Sequence, residues 1–238
     1  MLEAFGTQIS APKRRRRASP KVQARAEVNE ELVREWMENL HDDRLELVVR
    51  FGPRLAARRW TWRTLRQAKV GWDGSRFTFP SRDELGELTG AIRYTDRPGR
   101  SSKSLAVANT TRQLFPAPER ISSSIVAIVE GEPDALDGLS AGLPSTGLPG
   151  VGAWRSEWTA RFAGRYVLVM MDADQAGRDA AARIAGDLDA ADIEHSIVDI
   201  DPTRRDRFDV TDYLREVDER GGNALDELVR VTGTGAIR

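Results

Sequence analysis

The sequence of 238 residues contains no cysteine and only two histidines, and no apolar run reaches the roughly 20 residues that a membrane-spanning helix needs. Without cysteine the chain cannot build a disulfide framework or a cysteine-based zinc site. Its N-terminus also lacks the apolar core segment of a secretory signal. From these absences we expect a cytoplasmic protein that does not interact with a membrane.

The formal net charge of −1 conceals an uneven distribution of charged residues. Lysine and arginine outnumber aspartate and glutamate by 16 to 7 between Arg44 and Arg120, whereas the ratio is 12 to 22 from Ile121 to Arg238. A basic segment is typical of nucleic-acid contact, and an acidic segment is typical of cation binding. The division is a first indication of two functional parts.

The basic part follows an arm of different character. Residues 1–28 have little apolar periodicity and contain the run Lys13–Arg17, which predicts a disordered basic arm. Phosphate contact and a solvated tail explain this run equally well. Over residues 29–120 we expect a small helical and β-hairpin part, because Asn29 is placed to cap a helix and Gly71–Tyr94 has the alternation and turn of a hairpin. We expect its tryptophans mainly in the core.

Two short apolar runs in the acidic half, Ile125–Val129 and Tyr166–Met171, end abruptly in carboxylates. Runs without polar alternation predict strands buried on both faces, as in a parallel sheet covered by helices. Residues 121–218 alternate such strands with helical segments, which indicates right-handed strand–helix–strand units. Residues 219–238 are expected to form a helical tail. Ligands of parallel sheets bind at the carboxyl ends of the strands, where these acids lie.

Four acids follow the two strands: Glu130 and Asp134 after the first, Asp172 and Asp174 after the second. Asp172 and Asp174 project to the same side of an extended chain, where a cation or a proton relieves their repulsion. Oxygen ligands without nearby histidine or cysteine favour Mg²⁺ or Mn²⁺. Taken singly, Asp174 is equally explained as a helix cap and Asp134 as a first-turn charge. The set as a whole favours a metal site, which requires Glu130, Asp172 and Asp174 to converge within reach of one ion.

The segments VEGEPDAL and MMDADQAGRDAA resemble the two acidic motifs of the Toprim domain, a metal-binding module of DnaG-type primases, topoisomerases, recombination proteins and several nucleases. The second segment, with Gly177 and Arg178, is especially similar to the primase version. RFDVTDYL is similar to the third acidic motif of primases, with Asp209 at the matching position. Primases often carry a further acid two residues later, where this chain has Thr211, and Asp212 is displaced by one residue.

The basic part is similar, in order and spacing, to the subdomain that precedes Toprim in bacterial and bacteriophage primases. SRFTFPSRDELGELTGAIRY is followed by SKSL and TRQLF, and in that family the hairpin and a loop lysine line the groove for template and nucleotide. The family loop often has an asparagine three residues after the lysine, where this chain has Ala106. The resemblance implies phosphate or template contact for Arg76, Arg82, Lys103, Arg112 and Arg178.

The fold implied by the resemblance is α/β, with a Toprim-type, mostly parallel sheet flanked by helices over residues 121–218 and a small basic α+β subdomain before it. The implied function is that of a DNA primase catalytic core, which makes short RNA primers on single-stranded DNA from ribonucleoside triphosphates with Mg²⁺ or Mn²⁺ as cofactor. The implied catalytic residues are Glu130, Asp172 and Asp174. The implied metal ligands are Glu130, Asp134, Asp172, Asp174, Asp209 and Asp212.

Primases of this family also use a zinc-binding template reader and a helicase. The sequence has no cysteine for the first and too few residues after 218 for the second, so we expect both to act in trans, as in some bacteriophages and mobile elements. Two other functions stay open at this point. One is a Toprim-type metal-dependent nuclease that uses the same acids, and the other is a non-catalytic DNA-binding accessory of replication or recombination.

Overall fold

The computed structural model describes residues 28–42, 58–95, 102–206 and 208–232. The arm predicted for residues 1–28 lies outside these ranges except for its last residue, and so does most of the loop that precedes Lys103. None of the described helices is long and apolar enough to cross a membrane.

The first part of the described chain is an antiparallel sheet with two helices. Helix α1 spans Glu30–Asp42 and α2 spans Trp62–Gln67. The sheet has the order β1–β2–β3–β4, with β1 at Gly71–Trp72, β2 at Phe77–Arg82, β3 at Leu88–Tyr94 and β4 at Ser104–Ala106.

The helix cap and the hairpin predicted for this part are both present. The side chain of Asn29 accepts a hydrogen bond from the backbone nitrogen of Leu32 at 2.9 Å, as a helix cap does. Strands β2 and β3 pair antiparallel and form the predicted hairpin, whose turn contains Gly86 at a φ of 82°. That positive φ is readily adopted by glycine because it has no Cβ.

The second part is a parallel sheet with the order β6–β5–β7–β8. Its strands are β5 at Ile125–Val129, β6 at Ser145–Gly147, β7 at Tyr166–Met170 and β8 at His195–Ile197. Its helices are α3 at Glu132–Ser140, α4 at Gln175–Ala190, α5 at Val210–Glu219 and α6 at Ala224–Thr232. Two 3₁₀ segments lie at Pro118–Arg120 and Ser156–Phe162.

Helices cover both faces of the parallel sheet. Alternate strand residues point to opposite faces, so Val126 packs in one core with Ile184 of α4, whereas Ala127 packs in another with Leu214 of α5. The predicted fold class is confirmed: a parallel sheet between helices follows a small part of mixed helix and strand.

The two parts share a third core. Trp60 and Phe79 of the antiparallel part pack in one cluster with Leu136 of α3, and all three are buried. A bridge between Phe115 and Gly147 adds an antiparallel contact at the β6 edge. Helix α3, which begins directly beyond the end of β5, is therefore held between the two sheets.

Replacing Leu136 with alanine tests this shared core. We expect the free energy of unfolding to fall by about 2–5 kcal/mol, because the side chain is fully buried and the cavity cannot close completely. Urea denaturation followed by circular dichroism and tryptophan fluorescence measures the change. Leu85→Ala is the control, since Leu85 is 80% exposed and its loss should change stability by less than about 0.5 kcal/mol. Two separate transitions, only one of them shifted, would show that the parts do not share a core.

Candidate metal centre

The carboxyl ends of β5 and β7 lie side by side, and acids follow both. Val129 and Met170, the last residues of these strands, are paired in the parallel register. Glu130 is the next residue after β5, and Asp172 and Asp174 follow within four residues of the end of β7. The backbone therefore delivers acids from two adjacent strands to one sheet edge, as predicted.

A third acid is brought to the same edge by the segment before α5. The backbone nitrogen of Ala173 donates to the carbonyl oxygen of Phe208 at 2.9 Å, which fixes that segment beside the loop after β7. Asp209 follows and caps α5, accepting a hydrogen bond from the backbone nitrogen of Asp212 at 2.9 Å. The three acidic segments thus meet, although they are far apart in sequence.

Asp174 caps the neighbouring helix α4. Its Oδ1 accepts a hydrogen bond from the backbone nitrogen of Gly177 at 2.8 Å. Gly177 is required here because a Cβ would lie 2.3 Å from the carbonyl oxygen of Asp172. Asp174 therefore acts as the helix cap that its position in the sequence allowed. Because the cap uses one carboxylate oxygen, capping and cation binding do not exclude each other.

Negative charge is concentrated around Asp172. Burial, and then the charges of Glu130, Asp134, Asp209 and Asp174, raise the pKa of Asp172 to about 8. Its Oδ1 is buried and makes no hydrogen bond. A buried carboxylate oxygen without a donor, surrounded by other carboxylates, is chemically suited to a hard divalent cation.

The side chains do not, however, surround a single point. Among the residues that the structure describes, no group of three acidic or histidine side chains is close enough together to hold a metal ion. The expected convergence of Glu130, Asp172 and Asp174 within reach of one ion is therefore not met by the side chains as they lie here. Carboxylates without a counter-ion repel one another, so convergence of the backbone does not by itself close a ligand shell. The donor set fits Mg²⁺ or Mn²⁺ in its chemistry, and closing on an ion would require these side chains to move.

Asp134 has partners that the sequence analysis did not foresee. Its Oδ1 lies 2.9 Å from Nη1 of Arg58 and 3.2 Å from Oγ1 of Thr211. Asp137, one turn further along α3, is fully buried beside the same arginine, and burial raises its pKa to about 8. Asp137 stands three residues after Asp134, which places both on one helix face. The three-residue spacing of Asp134 and Asp137 is the sequence feature from which their proximity could have been predicted.

Asp212 is turned to the start of α5. It forms a capping box with Asp209 and an ion pair with Arg215 at 2.8 Å. Its predicted role as a metal ligand stays a prediction.

The chain was compared with known proteins. No protein-family model matches this sequence, and a comparison with curated proteins also gives no match. The zinc-binding and RNA polymerase domains of Aquifex aeolicus primase align at a TM-score of 0.63 and 18% identity, over 84% of this chain and 59% of that one. The Escherichia coli primase catalytic core aligns at 0.60 and 16%, over 83% and 76%. The primase fragment of bacteriophage T7 aligns at 0.53 and 18%, over 74% and 72%. The fold is that of a DnaG-type primase catalytic core.

Within this primase-core fold, two of the predicted phosphate-binding arginines are buried. Arg76 is 4% exposed and donates to the backbone carbonyls of Lys103 and Ser102 at 2.8 and 3.1 Å. Arg82 donates to both carboxylate oxygens of Glu30 at 2.6 and 2.8 Å. In this structure Arg76 links the start of β2 to the segment before β4, and Arg82 links β2 to helix α1.

The other three predicted contacts are more accessible. Arg112 donates to the carbonyl oxygen of Pro149 at 3.0 Å, and Arg178 forms an ion pair with Asp199 at 2.9 Å. Lys103 is exposed next to β4. Of the five, Lys103 is therefore best placed for contact with a phosphate backbone.

Replacing Asp172 with asparagine should stabilise the protein at alkaline pH in the absence of divalent cations. Because the folded state raises the pKa of Asp172 to about 8, the stability of the wild type should fall as the pH rises from about 4 through about 8. Asparagine removes this dependence. We expect the variant to be more stable by about 1–3 kcal/mol at pH 8.5 and to have no advantage near pH 4. Urea unfolding with a chelator over this pH range measures the difference.

Asp179→Asn, an exposed change on α4, is the matched control and should show no comparable trend. Saturating Mg²⁺ should favour the wild type over Asp172→Asn, because a ligand stabilises only the form that binds it. A wild type that gains stability relative to Asp172→Asn between pH 5 and 8 without cations would contradict the assignment.

Proposed function

We propose that the protein is a DNA primase catalytic core, which synthesises short RNA primers on single-stranded DNA from ribonucleoside triphosphates. The observation that supports it most is the meeting of three acidic segments at one sheet edge within a primase-core fold. A carboxylate-lined edge suits reactions of phosphate groups, because a cation held there can face the phosphates of a nucleotide.

In this proposal Glu130, Asp172, Asp174 and Asp209 hold Mg²⁺ or Mn²⁺. The bound cation would neutralise charge on the triphosphate and on the leaving pyrophosphate. Asp174 and Asp209 are each oriented by a hydrogen bond from a helix backbone nitrogen, which holds one oxygen of each carboxylate at a helix start. Glu130 is either a ligand or the acceptor of the proton from the attacking 3′-hydroxyl group, and both roles require it at this edge.

Synthesis is favoured over hydrolysis by the part of the chain that precedes the acids. The alignment with primase cores includes the antiparallel part as well as the parallel sheet, since it covers 83% of this chain for the Escherichia coli core. A DnaG primase catalytic domain solved in complex with single-stranded DNA also aligns, with a TM-score of 0.63 and 17% identity. These likenesses support a template-directed reaction for this chain and do not favour the nuclease or the accessory.

The proposed partners are a single-stranded DNA template, a zinc-binding module and a replicative helicase. The aligned Aquifex aeolicus chain contains a zinc-binding domain, and the bacteriophage T7 fragment comes from a primase-helicase. We propose that a zinc-binding module and a helicase assist this chain in primer synthesis. A role in replication would place the protein in the cytoplasm.

Primer synthesis tests the proposal directly. The purified protein is incubated with single-stranded templates, labelled ribonucleotides and Mg²⁺ or Mn²⁺, with and without a candidate zinc-binding partner. We expect new labelled oligonucleotides, and we expect Asp172→Ala to reduce them by on the order of 100-fold or more because a metal ligand is lost. Asp179→Ala, on the exposed face of α4, should leave the yield unchanged. Degraded template would indicate a nuclease, and template binding without either product would indicate the accessory.

Lys103→Ala should weaken binding to single-stranded DNA with little effect on stability, because Lys103 is exposed. Loss of one phosphate contact should reduce the slope of log affinity against log salt concentration by about 0.7–1. Fluorescence anisotropy with a labelled oligonucleotide at several salt concentrations measures both. Arg220→Ala, which removes an exposed cation at the opposite end of α5 from Asp209, is the control. An equal loss of affinity in both variants would mean that Lys103 makes no specific contact.

A further inference from the structure

A compact charged cluster lies at the base of the acidic edge. Nη1 of Arg58 lies 2.9 Å from Oδ1 of Asp134 and 3.3 Å from Oδ2 of Asp137, and it donates to Oγ1 of Thr211 at 3.2 Å. The hydroxyl of Thr211 is 2.6 Å from Oδ2 of Asp137, so it accepts from the arginine and donates to this carboxylate. One cation is thus enclosed by two carboxylates and a hydroxyl.

The cluster is sheltered from water. The side-chain exposure is 17% for Arg58, 13% for Asp134 and 0% for Asp137. An ion pair of this kind is hard to separate, because removing one partner leaves an uncompensated charge in a place of low polarity. The arginine is therefore a fixed part of the site, unlike an arginine that is loosely paired on a surface.

The backbone after Arg58 is anchored to the same helix as the two aspartates. The indole nitrogen of Trp60 donates to the carbonyl oxygen of Pro133 at 3.2 Å, and the backbone nitrogen of Thr61 donates to the hydroxyl of Ser140 at 3.1 Å. These contacts hold the segment along α3 from its first turn to its last residue. The position of the guanidinium group is thus determined by the surrounding contacts.

Asp134 and Asp172 differ in what neutralises them. Asp172 has a buried oxygen without a hydrogen bond, whereas Oδ1 of Asp134 contacts both the arginine and the threonine hydroxyl. Both contacts use Oδ1, so a metal ion would have to bind Asp134 through Oδ2, where the positive charge of Arg58 on the same carboxylate repels it. Withdrawing the arginine would leave the fully buried Asp137 without its cation, so that Asp137 either keeps a buried charge at a cost of several kcal/mol or takes up a proton.

We infer that Arg58 is a built-in cation that occupies the Asp134 side of the acidic edge and keeps this carboxylate out of the metal-ligand set. The divalent ions are then held by Glu130, Asp172, Asp174 and Asp209. Arg58 is a positioning residue, because it acts through the carboxylates it binds. The inference deepens the proposed function, since it rests on divalent cations binding at this edge.

Mn²⁺ binding, measured by electron paramagnetic resonance of the free ion with the full chain, tests the inference. We expect Asp134→Asn to bind Mn²⁺ within about threefold of the wild type and Asp172→Asn to bind it at least tenfold more weakly. Arg58→Gln should bind Mn²⁺ at least tenfold more tightly or bind one additional ion, because Asp134 becomes available. The double variant Arg58→Gln/Asp134→Asn should lose that gain. A merely structural arginine would lower the melting temperature without raising the affinity for Mn²⁺.

Circular dichroism confirms the folding of each variant. If Asp134→Asn loses Mn²⁺ affinity as strongly as Asp172→Asn, the inference is overturned, whether or not Arg58→Gln folds. If the wild type binds no Mn²⁺, the proposed metal-dependent function fails. The inference is then decided by Arg58→Gln: a new Mn²⁺ site that depends on Asp134 supports it, and no new site overturns it.

Discussion

Crowding of negative charge at the carboxyl edge of the parallel sheet is the constraint to which the surrounding structure responds. Because β5 and β7 are adjacent and in register, Glu130 and Asp172 lie at the same edge of the sheet. Partial burial increases the cost of their charge. Backbone N–H groups at two helix starts stabilise Asp174 and Asp209, and Arg58 pairs with Asp134 and Asp137 of α3. Asp172, whose pKa is raised by burial and by the neighbouring acids, keeps a buried oxygen without a hydrogen bond, and a divalent cation beside it would offset this charge.

The antiparallel part contributes to the acidic edge through its packing as well as through its charge. Trp60 and Phe79 pack with Leu136 of α3, and the segment that carries Arg58 runs along the same helix. Two arginines that resemblance assigned to phosphate contact, Arg76 and Arg82, bind partners within this part, and their phosphate contact stays a prediction. A buried guanidinium needs acceptors for its donors, and these side chains find them in this part, whereas Lys103 is exposed.

Features that depend on near neighbours were predictable from the sequence. The cap at Asn29, the hairpin of β2 and β3 and the buried strands β5 and β7 follow from local propensity and periodicity, and all are present. The convergence of acids on one edge was predictable too, because the carboxyl ends of parallel strands share an edge. The engagement of Arg58 was not predictable, since it lies 76 residues before Asp134 and its segment shows no local pattern that points to α3.

By itself the sequence determined the α/β class and the acids that lie at strand ends. These follow from composition and from the periods of strand and helix. Only the tertiary structure decided which charges neutralise each other. It paired Arg58 with Asp134 and Asp137, turned Asp212 into a capping box and left an oxygen of Asp172 without a donor. The physical reason is that charge pairing depends on distance and burial in space, and neither can be read from positions along a chain.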